Sequence, residues 1–201
     1  MRAGKVRAIG SSTFPASEIV EAQWVAERRG RERFVCEQPP YSLLVRGIER
    51  DVLPVCEQYG LGVIPWSPLA GGWLSGGYRK GRDLPHSARA ERIPERFDMS
   101  LPDNQRKFEA ADALGAFADE AGIPLVHLAL AFVINHPTVT AAIVGPRTME
   151  QLESQLGAQD VVLSAEILDR IDEIVPPGSV FNEADRGYTP PSLEDASLRR
   201  R

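Results

Sequence analysis

Phe34-Val35-Cys36-Glu37-Gln38-Pro39-Pro40 and Gly62-Val63-Ile64-Pro65-Trp66 are the two runs whose reading decides the fold. Each is short, carries apolar and β-branched residues, and ends at proline or an aromatic, which is the pattern of a strand. Between them, from about Gly47 to Tyr59, the chain reads as a helix, with Gly60 placed to stop it. Upstream, Val6-Arg7-Ala8-Ile9-Gly10 is a further strand, and Ser17 and Glu18 open the helix after it. Ile19, Ala22 and Ala26 recur there at helical spacing, and Gly30 ends that helix. Strands that alternate with helices lie parallel in one sheet. Pro65 removes a ladder donor from the third strand, so a strand end or a bulge is expected there.

Working outward, residues 69–102 are rich in Gly, Arg and Pro and hold no sustained period. They read as a long loop with short helical turns, and loops of that length are usually functional or mobile. Asn104 to Ala121 is an amphipathic helix on Phe108, Ala111, Leu114 and Ala118, and Pro124 to Asn135 is a more apolar one. The two fit a helical hairpin. Val139 to Val144 is the fourth strand, Thr148-Met149-Glu150-Gln151 is a capping box, and Ser164 opens the last helix. Pro176-Pro177-Gly178 closes it, which sets a domain of residues 1–178 apart from a polar, loosely ordered tail of 179–201. The sum is an α/β chain of four parallel strand–helix units plus a tail, half of a (β/α)8 TIM barrel, and by the resemblance given below its C-terminal half. Ile9, Val35, Ile64 and Ile143 are its candidate strand core positions. Function in such barrels sits at the C-terminal strand ends. Those ends are Ser11–Phe14, Gln38–Tyr41, Trp66–Gly72 and Gly145–Thr148.

Composition narrows the class. Hydrophobic residues are 43% and charged residues 25%, as in soluble globular domains. No apolar run approaches the roughly 18 residues that span a bilayer, and no apolar region follows Met1-Arg2-Ala3-Gly4-Lys5, so no signal peptide or membrane partner is expected. The net charge of −5 disfavours nucleic acid as a partner. Cys36 and Cys56 are too few for a disulfide framework or a zinc site, so reduced thiols and a cytoplasmic setting are expected, with no metal.

Four motifs in order carry a resemblance. Gly4-Lys5-Val6-Arg7-Ala8-Ile9-Gly10-Ser11-Ser12-Thr13-Phe14 resembles the aldo-keto reductase pattern G-K-x-R-x-x-G-V-S-N-F. Gln38-Pro39-Pro40-Tyr41-Ser42-Leu43 resembles that family's Q-x-x-Y-[SN]-L. Trp66-Ser67-Pro68-Leu69-Ala70-Gly71-Gly72-Trp73-Leu74-Ser75-Gly76 resembles its [WY]-S-P-L-x-x-G-x-L-[ST]-G. Ile143-Val144-Gly145-Pro146-Arg147-Thr148 and the helix beyond resemble its last strand and phosphate loop. The resemblance covers almost the whole chain.

It implies an oxidoreductase that binds NADP and reduces small-molecule carbonyl compounds. Ser12, Thr13 and Gln38 would meet the nicotinamide carboxamide, although the family usually has Asn where Thr13 stands. Trp66 would stack on the nicotinamide ring, where a rigid flat side chain positions a flat cofactor. Ser67, Leu69 and Gly71 would let backbone N–H groups approach the pyrophosphate. Gly145 and Arg147 would face the 2′-phosphate at a helix N-terminus, with Gln151 beside them. Gln155 would lie near the adenine; there the family often has Glu-Asn and this chain has Ser154-Gln155. Gly77 takes the place of a common Lys. Tyr41 would line the pocket.

The family's catalytic Tyr, Lys, Asp and His lie on the first four units of its barrel, and no residue here takes those roles. His86, His127 and His136 read as surface or helix-packing residues. The reading Met1-Arg2-Ala3-Gly4-Lys5, where the family has Val-Arg-x-Gly-Lys, is what a start inside a longer frame, or a truncated gene, would give. Reductase chemistry is therefore expected of the full-length family form. The alternative is a cofactor-binding fragment or structural half-barrel without catalysis, and self-association through open barrel edges is expected of the chain alone.

Overall fold

The computed structural model describes residues 1–200. Its first strand, β1 (Gly10–Ser12), leads into α1 (Ala16–Arg28), β2 (Cys36–Gln38), α2 (Val52–Tyr59) and β3 (Gly62–Val63). The three strands are parallel and adjacent in chain order, with Ser12 opposite Gln38 and Cys36 opposite Gly62. This is the α/β arrangement with a parallel sheet that the alternation predicts. Gly60 stops α2 in a left-handed conformation, as expected of a glycine cap.

The strands sit later or run shorter than the sequence predicts, for reasons visible in the ladder. β1 begins at Gly10 rather than Val6; of the segment before it, the Ile9 carbonyl alone joins the sheet, accepting from Val35 N–H at 2.9 Å. β3 ends at Val63, two residues before Pro65, as its missing N–H requires. The expected fourth strand is a correction: 139–144 is not a strand but lies beside β3 through one bridge, Val63 to Val139. Thr140 N–H donates to the Val63 carbonyl at 2.8 Å, but the next bond is Ile143 N–H to the Pro65 carbonyl at 2.9 Å. The pairing slips by one residue at Pro65, the bulge that proline imposes.

Residues 69–102 carry α3 (Ala88–Arg92) and 3₁₀ turns. They are anchored by a fully buried Trp73, which stacks on Tyr78 (4.1 Å) and Phe97 (5.8 Å). Then come α4 (Pro102–Ala121) and α5 (Leu125–Ile134). Their axes turn by 98°, so they form a corner and not the expected hairpin. The reason lies in α5, which is buried from Leu128 through Val133 and apolar on all sides. Such a helix belongs inside a core rather than along one neighbour. Among the described residues no single helix is long and apolar enough to cross a membrane.

α6 (Met149–Leu156) and α7 (Ala165–Ile174) start at the predicted caps, Thr148 and Ser164. The core lies between the helices and one side of the sheet, on Tyr41, Leu43, Leu44, Val63, Trp73 and Leu114. Two expected core positions are corrections: Val35 is 50% and Ile143 42% exposed, because no helix covers those parts of the sheet. The tail, which carries α8 (Pro191–Glu194) and a 3₁₀ turn at Ala196–Leu198, differs from expectation as well. Asn182 and Asp185 are buried, with Asp185 paired to Lys107 at 2.7 Å and to Arg96. Polarity alone marks a segment as loose only when its polar groups lack buried partners.

Candidate functional site

The ends of β1 and β2 are stitched together. Ser12 Oγ donates to the Gln38 carbonyl at 3.0 Å, and Thr13 N–H donates to the same oxygen at 3.2 Å. Side chains alternate along a strand, so Ser12 and Gln38, opposite each other in register, share one face, while Ser11 and Glu37 share the buried one. The Gln38 side-chain amide makes no hydrogen bond within the described residues and remains free to donate and accept. Trp66 joins the same end of the sheet: its N–H donates to the Pro39 carbonyl at 3.0 Å, and its carbonyl accepts from Tyr41 N–H at 3.4 Å.

Among the described residues, three other than glycine have positive φ: Thr13 (59°), Ser67 (59°) and Ala70 (50°). All three lie in the strand-end loops. Left-handed backbone at such residues costs on the order of 1–3 kcal/mol and clusters at ligand clamps. Beside them Gly71 has φ 72°, and a Cβ on it would lie 3.2 Å from Phe97 Cζ and 3.7 Å from Arg89 Nη1. Ser67 and Leu69 shape this turn from within, since their carbonyls accept from Ala70 N–H (2.8 Å) and Gly72 N–H (2.9 Å). Arg89, unassigned in the sequence, thus brings a guanidinium to the glycine loop.

The segment after 139–144 adds the last group. Gly145 and Arg147 are exposed, and Arg147 makes no ion pair among the described residues. Gln151 is used as a cap: its Oε1 accepts from Arg147 N–H at 2.8 Å, while Thr148 Oγ1 accepts from Gln151 N–H at 3.3 Å. The side chain is therefore engaged by the protein rather than free for a phosphate. Gln155 Oε1, by contrast, is buried without a hydrogen-bond partner, an acceptor of the kind that an amine could satisfy.

Two parts of the surroundings are absent from the motifs. The tail crosses the strand ends: a Cβ on Gly187, whose φ is 75°, would lie 2.9 Å from Thr13 Cγ2 and 3.1 Å from Trp66 Cζ2. The Arg96 guanidinium also stands 5.9 Å from the Trp66 ring centroid. Asn182-Glu183-Ala184-Asp185 does carry a legible signal, an Asn that caps the 3₁₀ turn after it through Ala184 N–H. The second part is Glu37. It is fully buried, accepts from Ser11 Oγ and, at 3.1 Å, from Phe14 N–H, and burial raises its carboxyl above the usual range.

Tyr41 does not line a pocket. It is buried against Phe132, its hydroxyl donates to Glu49 Oε1 at 2.8 Å, and burial together with the Glu49 charge raises it far above a phenol's usual range. Its hydroxyl is thus engaged within the protein, away from the strand-end loops. Cys56 is a buried thiol pushed up to about 12, Cys36 is also free, and His127 packs α5 against the Ser154 carbonyl at 2.7 Å. Lys107 is buried, and burial lowers its pKa against the pull of Asp185. Its partners are Asp185 and the Arg96 carbonyl, so it holds the tail to the long loop. No cluster that could hold a metal ion occurs among the described residues.

A model of the aldo/keto reductase family matches residues 1–176. The uncharacterized oxidoreductase YrpG of Bacillus subtilis (strain 168) is 39% identical over 185 residues, covering 92% of this chain and 54% of that protein. A probable voltage-gated potassium channel subunit beta of Oryza sativa subsp. japonica is 35% identical over 171 residues, covering 83% and 51%. Aryl-alcohol dehydrogenase (NADP(+)) of Phanerodontia chrysosporium is 30% identical over 174 residues, covering 86% and 45%. The chain spans about half the length of the curated relatives it matches.

Proposed function

Since this chain belongs to the aldo/keto reductase family, we propose that it supplies the NADP-binding half of a (β/α)8 barrel that reduces a small-molecule carbonyl compound with NADPH. In this reading residues 1–178 are the partial barrel and 179–201 its tail. The observation that carries it is the convergence of Ser12, Gln38 and Trp66 at one end of the parallel sheet, with the strained 67–71 turn beside them.

The residues present fit the cofactor. Ser12 and Gln38, adjacent and exposed to one side, hold the carboxamide, and Trp66 gives the ring a flat support. Gly71, at φ 72°, lets the turn present backbone N–H groups to the pyrophosphate, and Arg89 adds charge there. Arg147, exposed and without an ion pair, takes the 2′-phosphate at the start of α6. Gln155, further along α6, is the residue that the resemblance puts near the adenine. When bound, the cofactor supplies a hydride to the carbonyl carbon.

The proton acid must come from elsewhere. Tyr41 is tied to Glu49 and Lys107 to Asp185, and neither stands free at the strand ends. The 201-residue chain alone, given NADPH and an aldehyde, is expected to show no oxidation of NADPH above buffer. Turnover abolished by a substitution in this chain would overturn the division of labour proposed here.

A further inference from the structure

We propose that Glu37 is a positioning residue, one that holds the turn Ser12–Phe14 in the shape the nicotinamide carboxamide meets. This rests on the cofactor reading above. Thr13 sits at φ 59°, a conformation that Asn or Gly adopts readily and a β-branched residue resists. Something outside Thr13 must hold it there. The two oxygens of Glu37 bracket it. Oε2 accepts from the Ser11 hydroxyl on one side of Thr13, and Oε1 accepts from Phe14 N–H at 3.1 Å on the other. Thr13 N–H, between them, donates to the carbonyl of the next residue, Gln38.

Glu37 is fully buried on the face of β2 opposite Gln38, so it touches neither substrate nor cofactor. Its effect passes through the turn. The turn in turn orients Ser12, whose hydroxyl is already committed as a donor to Gln38 and offers its lone pairs outward. A carboxamide in place of the carboxylate can serve the same geometry. A Gln oxygen would accept from Phe14 N–H, and its NH₂ would donate to a Ser11 hydroxyl that has turned round.

The test compares the full chain with Glu37→Ala, Glu37→Gln and Ser11→Ala. Two readouts are taken: NADPH affinity by fluorescence titration, and amide hydrogen exchange at Thr13 and Phe14 without cofactor. Glu37→Ala is expected to weaken NADPH binding about tenfold and to speed exchange at both amides, the scale of one buried hydrogen bond lost. Glu37→Gln should stay near wild type. Ser11→Ala, which removes one bond and no charge, should give a smaller loss of the same kind and serves where Glu37→Ala does not fold. Unchanged affinity in Glu37→Ala, or an equal loss in Glu37→Gln, would overturn the proposal. Absence of NADPH binding by the wild-type chain would overturn the cofactor reading itself, while the exchange data would still report whether Glu37 holds the turn.

Discussion

Gln38 and Arg147 stand at the strand ends with side chains that no protein group engages, whereas Asp185 and Lys107, at the junction of tail, long loop and α4, have side chains only 3% and 1% exposed and bonded on every side. Asn182 and Asn104 repeat the second pattern: Asn182 Nδ2 donates to Asn104 Oδ1 at 2.8 Å and to the Glu95 carbonyl at 2.9 Å. Both regions are polar. One keeps its hydrogen-bonding capacity unspent and stores strain in its backbone, and the other spends everything on holding the chain in place. Buried polar groups left unmade are expensive, so a satisfied junction supports structure, and an unsatisfied rim at strand ends is where a ligand can bind.

The largest effect should follow from breaking the junction. Asp185→Ala leaves the Lys107 ammonium buried with one carbonyl as its remaining partner and removes the Arg96 ion pair. The expected loss is about 3–5 kcal/mol of stability, read as the shift in thermal or urea unfolding. A loss below about 1 kcal/mol would place the junction among ordinary surface pairs and dissolve the contrast.

The strand edges give the next effect. β1 and the segment 139–144 flank the sheet with no strand outside them, and Val35, Ile143 and Val144 are exposed nearby. Open edges with bare apolar residues promote association. Sedimentation of the 201-residue chain is expected to show a dimer or larger species. A monodisperse monomer with a sharp cooperative melt would show that the edges need no cover.

The smallest effect on the fold should come from the site itself. Arg147→Ala is expected to change stability by less than about 0.5 kcal/mol, as for a surface residue without partners. The same change should weaken NADPH binding by about 1.5–3 kcal/mol, the scale of a charge-assisted hydrogen bond, and NADH binding far less. Equal weakening of both cofactors would mean that Arg147 does not read the 2′-phosphate.

The sequence made the helices and their caps legible because capping chemistry is local: Thr148, Ser164 and Gly60 mark true boundaries. The strands were less legible, since a strand ends where its neighbour ends. Neither Val6 nor Val144 announces that the ladder does not reach it. The site motifs lie at the strand ends where the parallel-sheet rule places them. Glu37, Arg89 and Asp185 were not legible, because their roles depend on contacts across 23 residues (Phe14 to Glu37) or 78 (Lys107 to Asp185). Tyr41 misled for the same reason: nothing local shows that its hydroxyl is spent on Glu49.

The central claim is that Ser12, Gln38 and Trp66 form a nicotinamide site, and Trp66 is its own reporter. The most direct test is a titration of NADPH into the purified chain, following tryptophan and NADPH fluorescence, with Trp66→Phe in parallel to separate Trp66 from Trp24 and Trp73. The account predicts saturable quenching in the wild type, loss of that quenching in Trp66→Phe, and weaker binding in Gln38→Ala. An absence of saturable binding, or quenching unchanged by both substitutions, would contradict it.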